Sequence, residues 1–176
     1  MHTSQNRFGK KQQWFAVYTR PKAEVKVDTR LSLAGFNSFL PLQTVIKQWS
    51  DRKKKVQVPL INSYVFVQSK SIDLNKIYKI PGVINILKHS GKYASIKDIE
   101  IENLKILTTN GFPMKAYRKS KDLLKGTKVM ISKGPLKGLS ANYLMKAGKH
   151  KVIVELETLN CIVEVTVSLC DIKEIS

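Results

Sequence analysis

Hydrophobic positions along the chain change period several times, and each change marks an element. Residues 14–19 form a β-branched and aromatic run that predicts a strand. Pro21 suits a first helical turn, and Ala23, Val27, Leu31 and Ala34 then recur at helical spacing. Gly35 is placed to supply a left-handed C-cap, so a helix of about 13 residues is expected. Its other faces carry Lys22, Glu24, Lys26, Asp28 and Arg30. Residues 39–49 read as a second strand, 50–55 as a polar turn, and 56–60 and 64–67 as further strands, with a bend at Asn62 and Ser63. Ser71 caps a short helix bearing Leu74 and Ile77, which must stop before Pro81. Residues 83–87 are another strand. Ser95 and Asp98 have capping-box spacing and open a helix carrying Ile96, Ile99, Asn103, Leu104 and Leu107. Asn110, Gly111 and Pro113 end it.

The order β-α-β-β-α-β-α fits an antiparallel sheet flanked by helices, an α+β arrangement. Residues 112–122 are basic, lack periodicity and contain a proline, so a linker is expected there. Short β-rich runs follow at 127–132, 140–145, 151–157, 161–167 and 171–175, separated by turns, and predict a small all-β barrel. The expected organisation is a basic tail over 1–12, a first domain over 13–111, the linker, and a barrel domain over 123–176.

Charge adds the next constraint. Hydrophobic residues make up 43% of the 176 and charged ones 25%, an ordinary globular mix. Lys and Arg number 31 against 13 Asp and Glu, a formal charge of +18 that favours a polyanionic partner. The excess is uneven. Residues 1–12 carry three basic and no acidic side chains, 13–120 carry 19 and 7, and 121–176 carry 9 and 6. An electrostatic contact with nucleic acid is therefore expected mainly on the first domain, although any single lysine is more readily a solvated surface group. No apolar run is long enough to span a bilayer, and the first 13 residues lack the apolar core of a secretory signal. The expectation is a soluble, cytoplasmic protein with no membrane partner.

Catalytic chemistry finds no support. Neither G-x-x-x-x-G-K-[ST], G-x-G-x-x-G nor G-x-S-x-G occurs. His2, His89 and His150 are scattered, and Cys161 and Cys170 lie in or beside expected strands, where free cysteine behaves as a small hydrophobe. No catalytic residue, metal site or cofactor is expected.

Two stretches carry a positive signal. Gly126-Thr-Lys-Val-Met-Ile-Ser-Lys-Gly134-Pro135-Leu-Lys-Gly138 sets an apolar strand before G-P-x-x-G and resembles the KOW motif of small SH3-like barrels. Gly134, Pro135 and Gly138 would make its tight turn. KOW sequences often have a further glycine near position 141, where this chain has Ala141. Trp14-Phe-Ala-Val-Tyr18-Thr-Arg20-Pro-Lys-Ala-Glu24 resembles the opening of the NusG N-terminal domain. Phe39-Leu-Pro-Leu, Trp49-Ser-Asp-Arg-Lys, Val58-Pro-Leu, Tyr64-Val-Phe-Val and Ile80-Pro-Gly-Val83 follow in that family's order. The resemblance covers about residues 14–175. Around residues 42–53 it is nearest to specialised paralogues, the UpxY-type antiterminators of polysaccharide operons and, more distantly, RfaH.

The resemblance implies a NusG-type N-terminal domain, a KOW barrel and a non-enzymatic elongation or antitermination factor. It implies an apolar contact with the clamp helices of the largest RNA polymerase subunit through Tyr64 and Phe66, supported by Phe39 and Val83. Alternation sets Tyr64 and Phe66 on one sheet face and Val65 and Val67 on the other; that aromatic face either closes a core or forms a pocket. Many relatives have Pro-Gly where Asn62 and Ser63 stand. Arg20 and Arg30 match positions that face non-template DNA in RfaH-like relatives, and Arg52, Lys53, Lys54 and Lys55 sit on a hairpin tip that lies near upstream DNA in the family. The barrel would meet ribosomal protein S10 or Rho, with Leu136 in its turn the one residue to name. β-branched runs at 152–154 and 162–167 favour strands over a helical autoinhibited form. A monomer is expected. The competing expectation is a KOW protein that binds RNA or the ribosome without polymerase.

Overall fold

A computed structural model describes residues 12–49, 51–109, 111, 114–118, 126–146 and 149–175. The first half runs β1 (Gln13–Thr19), α1 (Glu24–Leu33), β2 (Asn37–Phe39), β3 (Leu42–Gln48), β4 (Lys53–Pro59) and β5 (Tyr64–Ser69). It continues through a 3-10 turn into α2 (Leu74–Ile77), then β6 (Val83–Ile86), β7 (Lys88–His89), β8 (Lys92–Tyr93), β9 (Ser95–Ile96) and α3 (Asp98–Thr109). The second half is all strand: β10 (Met114–Arg118), β11 (Thr127–Ile131), β12 (Ser140–Lys146), β13 (Lys149–Leu156), β14 (Cys161–Thr166) and β15 (Ile172–Glu174), with short 3-10 turns around β14. The mixed α+β composition agrees with the expected fold class.

These elements divide into two units, one ending at Leu40 and resuming over Asn62–Asp98, the other made of Pro41–Ile61 and the chain from Ile99 onward. The expected border near residue 111 therefore does not coincide with the observed division, which assigns the β3–β4 hairpin and nearly all of α3 to the second unit. The tail expected over 1–12 lies, apart from Gln12, outside the described residues.

In the first unit β2-β5-β1-β6 form an antiparallel sheet, and β9 pairs with the start of β1. Alternation along β1 and β5 turns Phe15, Val17, Val65 and Val67 to one face, where they pack with Val27 and Leu31 of α1 and Leu74 and Ile77 of α2. All of these are essentially removed from water, each aliphatic side chain contributing about 1.5–3 kcal/mol. The first helix is shorter than its spacing predicts, ten residues instead of about 13. Arg20 to Ala23 instead make a turn closed by the Ala23 N–H on the Arg20 carbonyl at 3.1 Å, with Lys22 at φ 63°. Proline followed by a positive-φ residue is the type II turn pattern, which delays the helix. Gly35, at φ 83°, ends it as expected.

The strand expected over 39–49 is broken in two at Leu40 and Pro41. Proline lacks an N–H and confines the residue before it, so β2 stops and β3 starts afresh. The expected turn at 50–55 is also shorter. Lys53, Lys54 and Lys55 belong to β4, paired with Gln48, Lys47 and Ile46 respectively, and the tip lies between Trp49 and Arg52.

In the second unit the order β10-β14-β13-β12-β11-β15 makes one antiparallel sheet. Val152, Val154, Ile162, Val163 and Val165 supply its buried side chains. The linker expectation fails within 114–118: Met114 to Arg118 pair with Val165 to Cys161 as a sixth strand, and buried Met114 gives that strand its apolar anchor. Within the same unit, the Asn103 carboxamide of α3 brackets the Ser140 backbone, donating to its carbonyl at 2.9 Å and accepting its N–H at 3.1 Å.

Candidate functional site

The face of the first sheet opposite the helices is aromatic. Ala16 lies opposite Phe66, and Phe66 opposite Phe39, while Tyr18 lies opposite Tyr64. Phe39 and Phe66 stack with centroids 6.2 Å apart at 29°, and Tyr18 and Tyr64 tilt at 52° with centroids 5.4 Å apart. Phe66 is fully buried, whereas Tyr18 is 38% exposed and Tyr64 and Phe39 are half-buried. Tyr64, Phe66 and Phe39 are thus brought together as the sequence suggests, with the tyrosines providing the accessible part. Val83 does not join them. Its side chain packs against the helix-side core of Phe15, Val17 and Val27, because the register of β1 and β6 shifts between Tyr18 and Thr19. Tyr18 was legible in the alternation of Trp14, Ala16 and Tyr18 against Phe15 and Val17, yet it escaped the reading of β1.

Two side chains of α1 position this surface. Buried Glu24 accepts the Ser63 N–H at 2.7 Å, and Ser63, at φ 61°, leads directly into Tyr64. The carboxylate on the turn N–H fixes this turn, with the Thr19 N–H on the Ser63 carbonyl at 2.9 Å as a second tie. At the other end of the helix, the Arg30 guanidinium donates to the Pro81 carbonyl. The Arg20 N–H meets the next carbonyl, Gly82, at 2.9 Å. Arg20 and Arg30 are both exposed and converge on one turn, and Arg30 has a structural task besides any contact outward. That turn requires glycine: Gly82 has φ 101°, and a Cβ there would lie 2.8 Å from Val27 Cγ2.

The β3–β4 hairpin carries the densest cationic group. Arg52, Lys53, Lys54 and Lys55 are all exposed, Lys54 opposite Lys47. Asp51 contacts Arg52 at 3.8 Å, a solvent-exposed pair of small energetic weight. The Trp49 N–H donates to the Arg52 carbonyl at 2.8 Å, and the indole is 54% exposed. Trp49 lies beside these cations, although its apolar character reads in the sequence as part of a strand.

In the barrel, Gly134 (φ 73°) and Gly138 (φ 89°) flank Pro135 in a tight turn, and the Gly138 N–H returns to the Ile131 carbonyl at 2.9 Å. Leu136 is only 4% exposed, so the turn holds this side chain inward instead of offering it to a partner. It helps line a cavity of about 210 Å³ with Ile131, Pro135 and Val167, rimmed by Lys133 and Asp171. Ala141, in place of the frequent glycine, is buried in β12 opposite Val129. Cys161 is buried in β14 and Cys170 is exposed.

Perturbed titrations have structural causes. Burial, and then the 2.6 Å hydrogen bond Tyr117 donates to Glu164, push the Tyr117 hydroxyl up to about 12. Burial likewise raises the Cys161 thiol, a hydrogen bond with Tyr78 raises Tyr93, and a hydrogen bond from Lys76 holds Asp73 below the usual carboxylate range. Among the described residues, no three His, Cys, Asp or Glu side chains gather to hold an ion, and no helix is long and apolar enough to cross a membrane.

Comparison with known proteins follows the same lines. The family model described as transcription termination factor nusG matches residues 12–105, more than half of the chain. A solved structure of domain interaction in Thermotoga maritima NusG is similar at a TM-score of 0.54 and 19% identity, covering 94% of this chain and 98% of that one. It supports the fold across both halves. Two conformations of the MjSpt4:Spt5 complex align at TM-scores of 0.30 and 0.29, with 22% and 23% identity, 93% of this chain covered in both, and 98% and 97% of theirs. No curated protein matches.

Proposed function

The chain belongs to the NusG family of non-enzymatic transcription factors that act with RNA polymerase, and on that premise we propose that it is a specialised elongation and antitermination factor. Its aromatic sheet face docks on the clamp helices of the largest polymerase subunit, and its basic side chains hold DNA, so that pausing or termination is suppressed. The observation that carries this reading is the Tyr18, Tyr64, Phe66 and Phe39 face, where a partly exposed tyrosine pair lies on the same sheet face as buried Phe66 and half-buried Phe39. Aromatic anchors on a desolvated base are the usual centres of binding energy in protein interfaces. Arg20 and Arg30 at the Pro81–Gly82 turn serve non-template DNA, and Arg52 to Lys55 serve upstream DNA. The pattern of residues 42–53 supports polysaccharide-type operons as targets. The barrel recruits ribosomal protein S10 or Rho. Such a factor works in the cytoplasm beside polymerase, as a monomer.

An assembled elongation complex of the cognate polymerase tests this at near-physiological salt, with the same nucleic-acid scaffold alone as comparison. Saturable binding that requires polymerase, with increased terminator readthrough, is the expected result. Tyr64→Ala should weaken it about tenfold or more while leaving the thermal transition in place. Phe66→Ala is a poor probe, because removing a fully buried ring costs about 3–5 kcal/mol of stability. Equal binding to bare nucleic acid without any change in readthrough defeats the proposal.

A further inference from the structure

The aromatic face continues across β1 onto β6, where Asn85 stands directly opposite Tyr18. Alternation along β6 sends Ile86 into the core and leaves Asn85 exposed on the Tyr18 side. Its carboxamide is held in place. Asn85 Oδ1 accepts the Ile86 N–H at 2.8 Å and the Tyr78 hydroxyl at 2.9 Å. A backbone N–H can only donate, so the atom facing it is the oxygen and the amide orientation is fixed. The Tyr78 oxygen accepts in turn from Tyr93, and Lys88 Nζ lies 4.9 Å from the centre of the Tyr93 ring, closing the row. With both lone pairs of Oδ1 engaged, Asn85 Nδ2 carries two N–H donors that nothing accepts among the described residues.

We infer that Asn85 is the polar specificity determinant of this face, selecting a partner helix that carries a carboxylate beside the apolar contact of Tyr18 and Tyr64. The inference rests on the docking role proposed above and adds what aromatic contact leaves open, since apolar surfaces alone do little to distinguish one partner helix from another. A partner without an acceptor would bury both N–H groups unpaired, a penalty that rejects it. Carbonyls inside a partner helix are already bonded along that helix, so the oxygen meeting Asn85 comes from a side chain. A carboxylate is favoured there: its charge-assisted bond is roughly twice as strong as a neutral one, and a chain of charge +18 draws acidic surface. The Tyr93–Tyr78–Asn85 row orients the donors before the partner arrives, so little rotamer freedom remains to be lost on binding.

The full-length protein and its variants are titrated onto the assembled elongation complex, with Tyr64→Ala as the control for the docking role. Asn85→Asp is the direct probe. Its carboxylate still accepts from Ile86 and Tyr78, but it has no hydrogen to give and sets a negative charge against the partner's. Affinity should fall about tenfold or more. Like-charge repulsion is screened, so the ratio to wild type should shrink as salt is raised, a change that a merely structural defect would not show. Asn85→Ala removes the donors without adding charge and should lose roughly three- to tenfold, with a ratio to wild type that varies less with salt than that of Asn85→Asp. A circular dichroism melt matching wild type checks that both variants fold. Wild-type affinity in either variant, or an Asn85→Asp loss that salt leaves unchanged, overturns the inference. Weakened binding by Tyr64→Ala beside unchanged Asn85 variants leaves the docking role standing and sinks this inference alone. A wild-type protein that does not bind the complex sinks the docking role itself.

Discussion

The β3–β4 hairpin and the β13–β14 pair use the same backbone pattern for opposite ends. In β13–β14, Val152 faces Val165 and Val154 faces Val163, all at most 2% exposed, so the pair is held by burial. One opposite-charge pair is made within the sheet: Glu164 accepts from both Lys151 and Tyr117, and the Lys151 and Glu164 side chains are only 19% and 11% exposed. In β3–β4 the distal cross-strand neighbours are Lys47 and Lys54, exposed and uncompensated by each other. One ribbon pairs charges within itself and the other leaves like charges opposite each other. Strand pairing alone thus says little about role; what lies across each pair decides it.

The contrast is broken most severely from the barrel side. Leu156→Ala removes a fully buried side chain of β13 and should cost about 2–5 kcal/mol, lowering Tm by roughly 5–15 °C in a calorimetric scan. Glu164→Gln keeps the shape but leaves the Lys151 ammonium half-enclosed without its counter-charge. A loss of about 1–3 kcal/mol is expected by denaturant titration, smaller than for a fully buried pair because some solvent reaches both groups. Tyr117→Phe removes a hydrogen bond that is made at neutral pH, so its difference from wild type closes only in the alkaline range. The folded hydroxyl titrates near 12 against 10.0 for a free tyrosine, so the folded state holds this proton more tightly. Its contribution is fully present below pH 10 and is lost as pH rises through 12. The variant should lack this late phenolate in an ultraviolet titration and show a shallower stability loss across that window, Tyr93 providing a separate late step. Smallest in stability is Lys47→Glu, which turns a repulsive pair into an attractive one. Tm should hold or rise by no more than about 2 °C while affinity for DNA falls in an anisotropy assay.

Much of the barrel was legible because its signals are local and redundant. Gly134 and Gly138 mark a turn, β-branched residues fill 152–154 and 162–167, and each strand is independently bounded. Tyr64, Phe66 and Phe39 were likewise readable from period-two alternation and family resemblance. The misreadings have one physical origin, since they concern what an element packs against. Val83 reads as a sheet-face residue until a register shift turns it to the core, and Leu136 reads as a turn residue until the turn folds it inward. Met114 to Arg118 look aperiodic because an edge strand needs only one buried side chain to hold its place. The buried Glu24 is the extreme case: a glutamate at a helix start reads as surface, and only the Ser63 N–H beside it explains why it is inside.

That glutamate and Arg30 together give α1 a property of measured length. Glu24 holds the turn before β5 and Arg30 the turn before β6, and six residues separate them, about 9 Å along the axis. The helix is in effect a gauge block between two loops that flank the central strand. Adding or removing one residue between these positions would swing one grip around the axis by about 100° and shift it by about 1.5 Å. Outside buried Val27 and Leu31, the remaining side chains of α1 are free to vary, but its register is not. Along a lineage this helix should drift in composition while insertions and deletions between Glu24 and Arg30 are rejected.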